Sequence, residues 1–434
     1  MRILLVASSW TETLGHAVRS IAIAEQCLAV GHEVAFLAPA SYHEWAPAGT
    51  TCFAAAPKPD FISETQIFFG FHTYEDVMYV SGYGDDQPIR ETIEREREVI
   101  REFRPDLIWN DEQYTIGASA ALEQVGVVSL VTWPLHPDFN KQVEQELPQR
   151  NLVLRRLRSA WNRVLAGYGL PPVGHLGELL FDRSQVRIAP TSPLLEPELT
   201  ALAGLVELTG QANLADPAGR ANAGVHYVGP IAPKGLFAEP PQWLEIWGRE
   251  PEPPTVYVYL SSLPIGINTK EAFEALYRGL DATGFRVIFA LGKFNEIADT
   301  LELPAHSERI RFERFVPGEA VMARAQLAIF PASHNMLMSA LSHNVPCLLF
   351  PDMFERSYNA ARLAEAGFGT VGSEADLTPE TIERLARETM ARFRETEGEP
   401  RRTALLDDLR GRAGAQAVVG LMERAVAGRS ELNV

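Results

Sequence analysis

Two side chains in the first third of the sequence have the chemistry of a paired acid–base group. His16 follows a glycine where the loop SSWTETLGHA enters a helical stretch, and Asp111 ends the apolar run DLIWND. A carboxylate beside an imidazole holds the ring in one tautomer and stabilises the imidazolium that forms, so the pair can serve as a general base. Spacing alone leaves this open. A histidine at a helix start is also a common structural residue, and Asp111 alone could cap the helix after it. Other chemistries lack their motifs. There is no GxGxxG after the first strand, no GxxxxGK(S/T) and no HExxH. Asp85-Asp86 is a weak metal cue that reads as a loop.

The elements that must bring 16 and 111 together are legible in the apolar pattern. ILLVAS is a continuous apolar run, as in a strand buried on both faces. A helix follows through Val18, Ile21, Ala22, Ala24, Cys27 and Leu28 and stops at Gly31, a C-cap candidate. Then come the strand EVAFLAP, a charged surface helix ETIEREREVIREF, the strand DLIWND, the helix IGASAALEQVG and the strand VVSLVTWP. This alternation implies an α/β fold with a parallel, doubly wound sheet, and such sheets bind ligands at the carboxyl ends of their strands. The aromatic stretch from Phe61 to Pro88 breaks the rhythm and reads as an acceptor-type binding loop or an irregular packed segment. Residues 152–165 read as a surface helix with an apolar stripe and solvated arginines. VRIAPTSPLLEPE and VHYVGPIAP close the first half.

The proline-rich EPPQWLEIWGREPEPP is the linker candidate, and alternation restarts after it with VYVYLSS, RVIFALG, RIRFERFVP, QLAIFPAS and VPCLLFP. The expected organisation is therefore two Rossmann-like domains facing across a cleft: residues 1–235, a linker over 236–253, a second domain over 254–402, and a final helical stretch within 403–434 running from about Thr403 to Ala427.

Composition narrows the function. A chain of 434 residues suits two domains, and 46% apolar with 22% charged residues suits a globular protein. The net charge of −17 argues against nucleic acid and anionic membranes as partners. No apolar run reaches the ~18–20 residues of a membrane span. MRILLVASSW reads as a buried strand and not as a signal peptide. Cys27, Cys52 and Cys347 are far apart and form no CxxC, which points to packed thiols in a reducing cytoplasm. The sequence leaves a homodimer open.

The order of several segments then carries a resemblance. GHAVRSIAIAEQCLAVGHEVAFLAP is similar to the opening GHxxPxLxLAxxLxxxGHxVxF of bacterial antibiotic and macrolide glycosyltransferases, relatives of the UDP-glycosyltransferases. PDLIWND resembles their PDLIxxD, RFERFVP their xVxDFVPQ, and ALSHNVPCLLFPDMFERSYNAARLAEAGFG their EALAAGVPxLxLPxxxDQxxNAxRxAxxGxG. The matches keep one order over nearly the whole chain. The resemblance implies the GT-B fold, with the first domain binding the acceptor, the second the donor, and the last helix crossing back to the first. It implies an inverting transfer of a sugar from a nucleoside diphosphate, UDP or dTDP, to a small hydrophobic acceptor. His16 would be the base and Asp111 its partner. No metal or cofactor is expected, and the nucleotide sugar is a co-substrate.

By the same resemblance the donor would lie against Ser261 and Ser262 after VYVYL, Val316 and Pro317, the loop Ser333-His334-Asn335-Met336 ahead of the helix at Leu337, and Glu355 and Arg356. Phe68, Phe69, Phe71, Tyr83 and Trp133 are the acceptor-side expectation. The donor loop departs from the pattern. Where HxGxxS or HHGGxGT is usual, this chain has Pro331-Ala332-Ser333-His334-Asn335-Met336, and Glu355-Arg356 replaces the Asp-Gln pair that grips the sugar. Arg356 adds a cation suited to an acidic sugar or a phosphate, or else a surface salt bridge. Two alternatives therefore stand beside the transferase: a GT-B binding or accessory protein without donor turnover, and another GT-B sugar-nucleotide enzyme such as an epimerase.

Overall fold

A computed structural model describes residues 1–10, 14–59, 71–148, 151–200, 224–233, 240–248, 252–260, 267–292, 295, 297–304 and 307–432. Contacts divide the chain into two units, Met1–Leu236 with Arg412–Val434, and Phe237–Gly411.

In the first unit the apolar runs become the strands β1 (Arg2–Ala7), β2 (Glu33–Ala38), β3 (Thr51–Ala54), β4 (Leu107–Asp111), β5 (Gly126–Leu130), β6 (Val186–Ala189) and β7 (Val225–Tyr227). They form one parallel sheet in the order β3-β2-β1-β4-β5-β6-β7. The doubly wound expectation is met. A strand that is apolar on both faces needs cover on both. One face packs on α1 (Leu14–Ala29), through Ala17, Ile21 and Ala24. The other packs on α3 (Asp86–Phe103) and α4 (Ile116–Leu122), through Val99, Phe103 and Ile116. Short α2 (Tyr74–Met78), α5 (Pro137–Glu146), α6 (Asn151–Gly167) and α7 (Gly177–Phe181) complete the unit before the gap in the described residues. Gly31, at φ 83, takes the left-handed conformation that ends α1.

The second unit repeats the plan. After α8 (Gln242–Gly248), which lies inside the stretch read as a linker, come β8 (Thr255–Tyr259), α9 (Lys270–Thr283), β9 (Arg286–Ala290), α10 (Ile297–Thr300), β10 (Ile310–Glu313), α11 (Gly318–Met322), β11 (Leu327–Phe330), α12 (His334–Ser342), β12 (Cys347–Leu349), α13 (Phe354–Glu365), β13 (Gly369–Val371), α14 (Pro379–Glu395) and α15 (Pro400–Arg410). Their sheet is parallel in the order β10-β9-β8-β11-β12-β13. Its core gathers Val256, Val258, Phe273, Phe289, Phe312, Ile329 and Leu348.

Three sequence expectations change. The charged helix α3 is no simple surface helix, because Ile89, Ile93, Glu96, Val99 and Ile100 form a buried face. The apolar stripe of α6 (Leu154, Leu157, Trp161, Val164, Leu165) is wholly buried, and Arg158 is not solvated but pairs with buried Glu75 and with Glu144. The final helical stretch is two helices. Gly411 to Gly414 interrupt it, with Gly414 at φ 52, and the second helix α16 (Ala415–Leu432) buries Val418, Val419 and Met422 in the core around α1.

Candidate functional site

The register of the first sheet places the candidate base. Ala7 is the partner of Asp111 in the parallel ladder, and the Ser8 N–H donates to the Asp111 carbonyl at 3.0 Å. The ends of β1 and β4 thus lie side by side. The chain leaves this point in both directions, through β2 and β3 on one side and β5 to β7 on the other. That is a topological switch point, where open α/β sheets form a crevice beyond the strand ends.

α1 starts just after β1, so its first turn faces that crevice. His16 Nδ1 lies 2.8 Å from Asp111 Oδ1. A carboxylate oxygen accepts, so Nδ1–H is the donor in this contact and Nε2 is the ring nitrogen not bonded to Asp111. The His16 side chain keeps 11% of its surface exposed and Asp111 none, which suits a ring that meets a ligand and a carboxylate that orients it.

Several residues of this site were missed from the sequence. Arg19, one turn along α1, donates through Nε to Asp111 Oδ2 at 2.9 Å and through Nη2 to Oδ1 at 2.6 Å. Burial alone would raise the Asp111 carboxyl, but the Arg19 cation and the bonds from His16 and Arg19 outweigh it and hold it below its usual value. Glu112 lies 3.9 Å from His16 Nε2 and 3.6 Å from Arg19 Nη2. Its backbone is left-handed at φ 62, a conformation that costs a non-glycine residue about 1 kcal/mol. The Trp10 indole N–H, donating to the Glu112 carbonyl at 2.8 Å, helps to hold it there. The Trp10 ring stands 6.4 Å from the His16 ring, 6.1 Å from Tyr74 and 6.3 Å from Tyr114, which sets aromatic surface beside the imidazole. Arg19 is a charged residue three positions after His16 on the same helix, and no local pattern marks its partner on β4.

A buried relay supports the loop that carries Trp10. Glu96 accepts from Gln113 Nε2 at 2.9 Å and from the Thr115 and Ser119 hydroxyls at 2.5 Å each. Gln113 Oε1 in turn accepts from the Ser9 N–H at 3.0 Å. Burial pushes the Glu96 carboxyl up to about 7 in spite of these three donors.

Among the described residues, two groups have ligand types that a metal could use. Donor atoms of His16, Asp111 and Glu112 lie within 4.8 Å of one another, as do those of Glu75, Glu144 and His175. Each group already contains a cation: Arg19 bonds Asp111, and Arg158 bonds Glu75 and Glu144.

Three of the five acceptor-side expectations fall among the described residues. Phe68 and Phe69 lie outside the described residues. Phe71 is half-buried just before α2. Tyr83 is buried, its carbonyl accepting from the Trp161 indole at 3.1 Å. Trp133 is half-buried after β5 and stacks on His136 at 5.2 Å.

The second sheet has its own switch point, between β8 and β11. Ser261 and Ser262, after β8, lie outside the described residues. After β11 the chain turns at Ala332, left-handed at φ 64, and enters α12 through Ser333, with His334 buried and Asn335 and Met336 half-buried. Asn359 of α13 clamps this turn. Its Nδ2 donates to the Ala332 carbonyl at 3.1 Å and to Glu355 Oε1 at 2.9 Å. Val316 is buried after β10. Arg356 is buried, and its Nη1 donates to both oxygens of Asp352 at 2.7 Å, so that carboxylate meets its charge.

No family model matches the chain. It is 28% identical over 196 residues to demethyllactenocin mycarosyltransferase of Streptomyces fradiae, a stretch that covers 44% of this chain and 39% of that relative's length. The whole fold is similar to the solved glycotransferase of kitacinnamycin, with TM-score 0.70, 16% identity and 98% of each chain covered. It is also similar to glycosyltransferase VinC in complex with dTDP, with TM-score 0.65, 16% identity, and 98% of this chain and 100% of that one covered. The fold is thus the two-domain GT-B architecture.

Proposed function

We propose that this chain moves a sugar from a nucleoside diphosphate to a small hydrophobic acceptor. The observation that carries the proposal is the His16–Asp111 pair at the switch point of the first sheet. In this reading an acceptor hydroxyl gives its proton to His16 Nε2 while its oxygen attacks the anomeric carbon. The bond from that carbon to the diphosphate oxygen breaks on the opposite side, and the configuration inverts. Asp111 stabilises the imidazolium that forms.

The leaving diphosphate gains charge. Backbone N–H groups at the start of α12, with His334 and Asn335, are suited to meet it, and the helix dipole favours an anion there. Glu355 would accept from sugar hydroxyls. With protein donors in this role the transfer has no need of a metal. The aromatic group around Trp10 favours an apolar acceptor. The name of the Streptomyces relative and the dTDP of the VinC complex support a sugar and a nucleoside diphosphate as ligand classes, with UDP the second base to test. We place the enzyme in the cytoplasm.

One observation favours a second reading, a GT-B protein that binds without turnover. Pro331 stands where the family pattern has its phosphate-binding histidine, and Ala332 holds a left-handed backbone that suits glycine. A thermal-shift panel of UDP, dTDP and their sugars, followed by a transfer and hydrolysis assay, separates the two. A ligand that binds only the folded state raises the melting temperature. A transferase is stabilised by at least one nucleoside diphosphate and consumes its sugar. Stabilisation with no consumption of any donor supports the second reading, and no stabilisation by any of them removes the donor site.

A further inference from the structure

One side-chain nitrogen on α13 ties together two parts of the second unit's switch point. Asn359 Nδ2 donates to the Ala332 carbonyl at 3.1 Å and to Glu355 Oε1 at 2.9 Å. Both partners only accept, so the buried amide has one orientation, with its nitrogen toward them. Glu355 and Asn359 stand four positions apart on one helix, which puts them on one face. Ala332 comes from elsewhere, the turn between β11 and α12.

We propose that Asn359 is a positioning residue that makes the sugar grip and the diphosphate seat one unit, by holding the Glu355 carboxylate and the Ala332 turn at a single spacing. The inference rests on the donor-binding half of the proposed function and does not need turnover.

The first N–H of the amide acts on a strained backbone. Ala332 is left-handed at φ 64 and wholly buried, a conformation that residues with a Cβ rarely adopt. Such a residue persists only where its surroundings over-determine it, and the bond from Asn359 to its carbonyl is one such restraint. The turn sets the direction in which α12 starts, and with it the N–H groups suited to a diphosphate. The second N–H acts on Glu355. A glutamate side chain has three torsions, and this bond narrows the positions its carboxylate samples to those beside the turn. In a nucleotide sugar the hexose and the diphosphate are joined through one oxygen, so their two grips must keep one spacing for both to be met at once. A nucleoside diphosphate without its sugar makes no such demand. Asn359 therefore acts on the conjugate through both N–H groups and on the bare diphosphate through one.

The test is a double-mutant cycle read by calorimetric titration of the full chain with UDP and dTDP, each with and without its hexose. Asn359→Leu keeps the size and removes both donors. With Glu355 present, it should raise the Kd of the nucleotide hexose by about 10-fold or more, and that of the matching nucleoside diphosphate by no more than about threefold. In a Glu355→Ala background the two increases should be equal, because the sugar-specific part acts through that carboxylate. A residue that only packs gives the same loss in both backgrounds, and that result overturns the proposal, as does equal loss for both ligands with Glu355 present. If Asn359→Leu does not fold, Asn359→Asp, which sets a third acceptor against the other two, carries the same expectation. A wild type that binds none of the four ligands, or binds neither hexose conjugate, would sink the donor reading and this inference with it. Binding of a conjugate by the wild type, with additive losses in the cycle, would sink the role of Asn359 alone.

Discussion

His16 Nδ1 and Asp111 Oδ1 meet at 2.8 Å across 95 positions of sequence, because the strand that ends at Asp111 lies in register beside the strand that feeds the helix of His16. The contact is a product of sheet topology. Neither residue's local sequence specifies it, and any chemistry at the pair depends on β1 and β4 staying neighbours.

Glu355 is the carboxylate beside the clamped turn ahead of α12. Glu355→Ala should raise the donor KM by about 10-fold, the weight of one hydrogen bond to a charged group, while acceptor KM moves less than about twofold. Initial-rate kinetics in both substrates checks this. Equal loss for donor and acceptor would remove Glu355 from the sugar.

Glu96 should make stability depend on pH. Its carboxyl titrates near 7 in the folded protein and near 4.5 when unfolded. The folded state therefore holds the proton more tightly. The stabilisation is full below pH 4.5 and is lost as pH rises through 7, with an amplitude of about 3 kcal/mol. Glu96→Gln keeps the shape and removes the titration. Urea melts of both proteins should show the variant gaining on the wild type between pH 5 and pH 8. Parallel curves would place the Glu96 carboxylate in a more polar setting than its three hydrogen-bond donors provide.

Arg158 neutralises Glu75, which is buried between α2 and α7 and also accepts from the Leu176 N–H at 2.7 Å. Arg158→Met leaves that carboxylate without its cation and should cost about 3 kcal/mol of unfolding free energy at neutral pH. A loss below about 0.5 kcal/mol would mean that the carboxylate is held well enough by its remaining donors, the Leu176 N–H among them, without Arg158.

The sequence was most readable where one physical signal dominated. The inner strands β1, β4, β5 and β9 are apolar on both faces and announce themselves. The edge strands β3 (TCFA) and β13 (GTV) are short and mixed and carry little pattern. Charge misled twice. Glu96 and Arg158 look solvated in their helices, and only their partners on other elements explain their burial. The helical run after Pro400 read as one element because its apolar residues continue across Gly411–Gly414, yet its halves belong to different units. At the site, His16 and Asp111 were visible as residue types. Arg19, Glu112 and Trp10 were not, because their roles arise from a helix turn, a left-handed backbone and an indole bond that no local pattern encodes.

The central claim is that His16 Nε2 removes the acceptor's proton, and the most direct measurement is the turnover of His16→Ala with a donor and acceptor that the wild type uses. Turnover should fall by about 100-fold or more, while the thermal shift given by the nucleoside diphosphate stays unchanged. Turnover within a few-fold of the wild type, with donor binding intact, would contradict the claim.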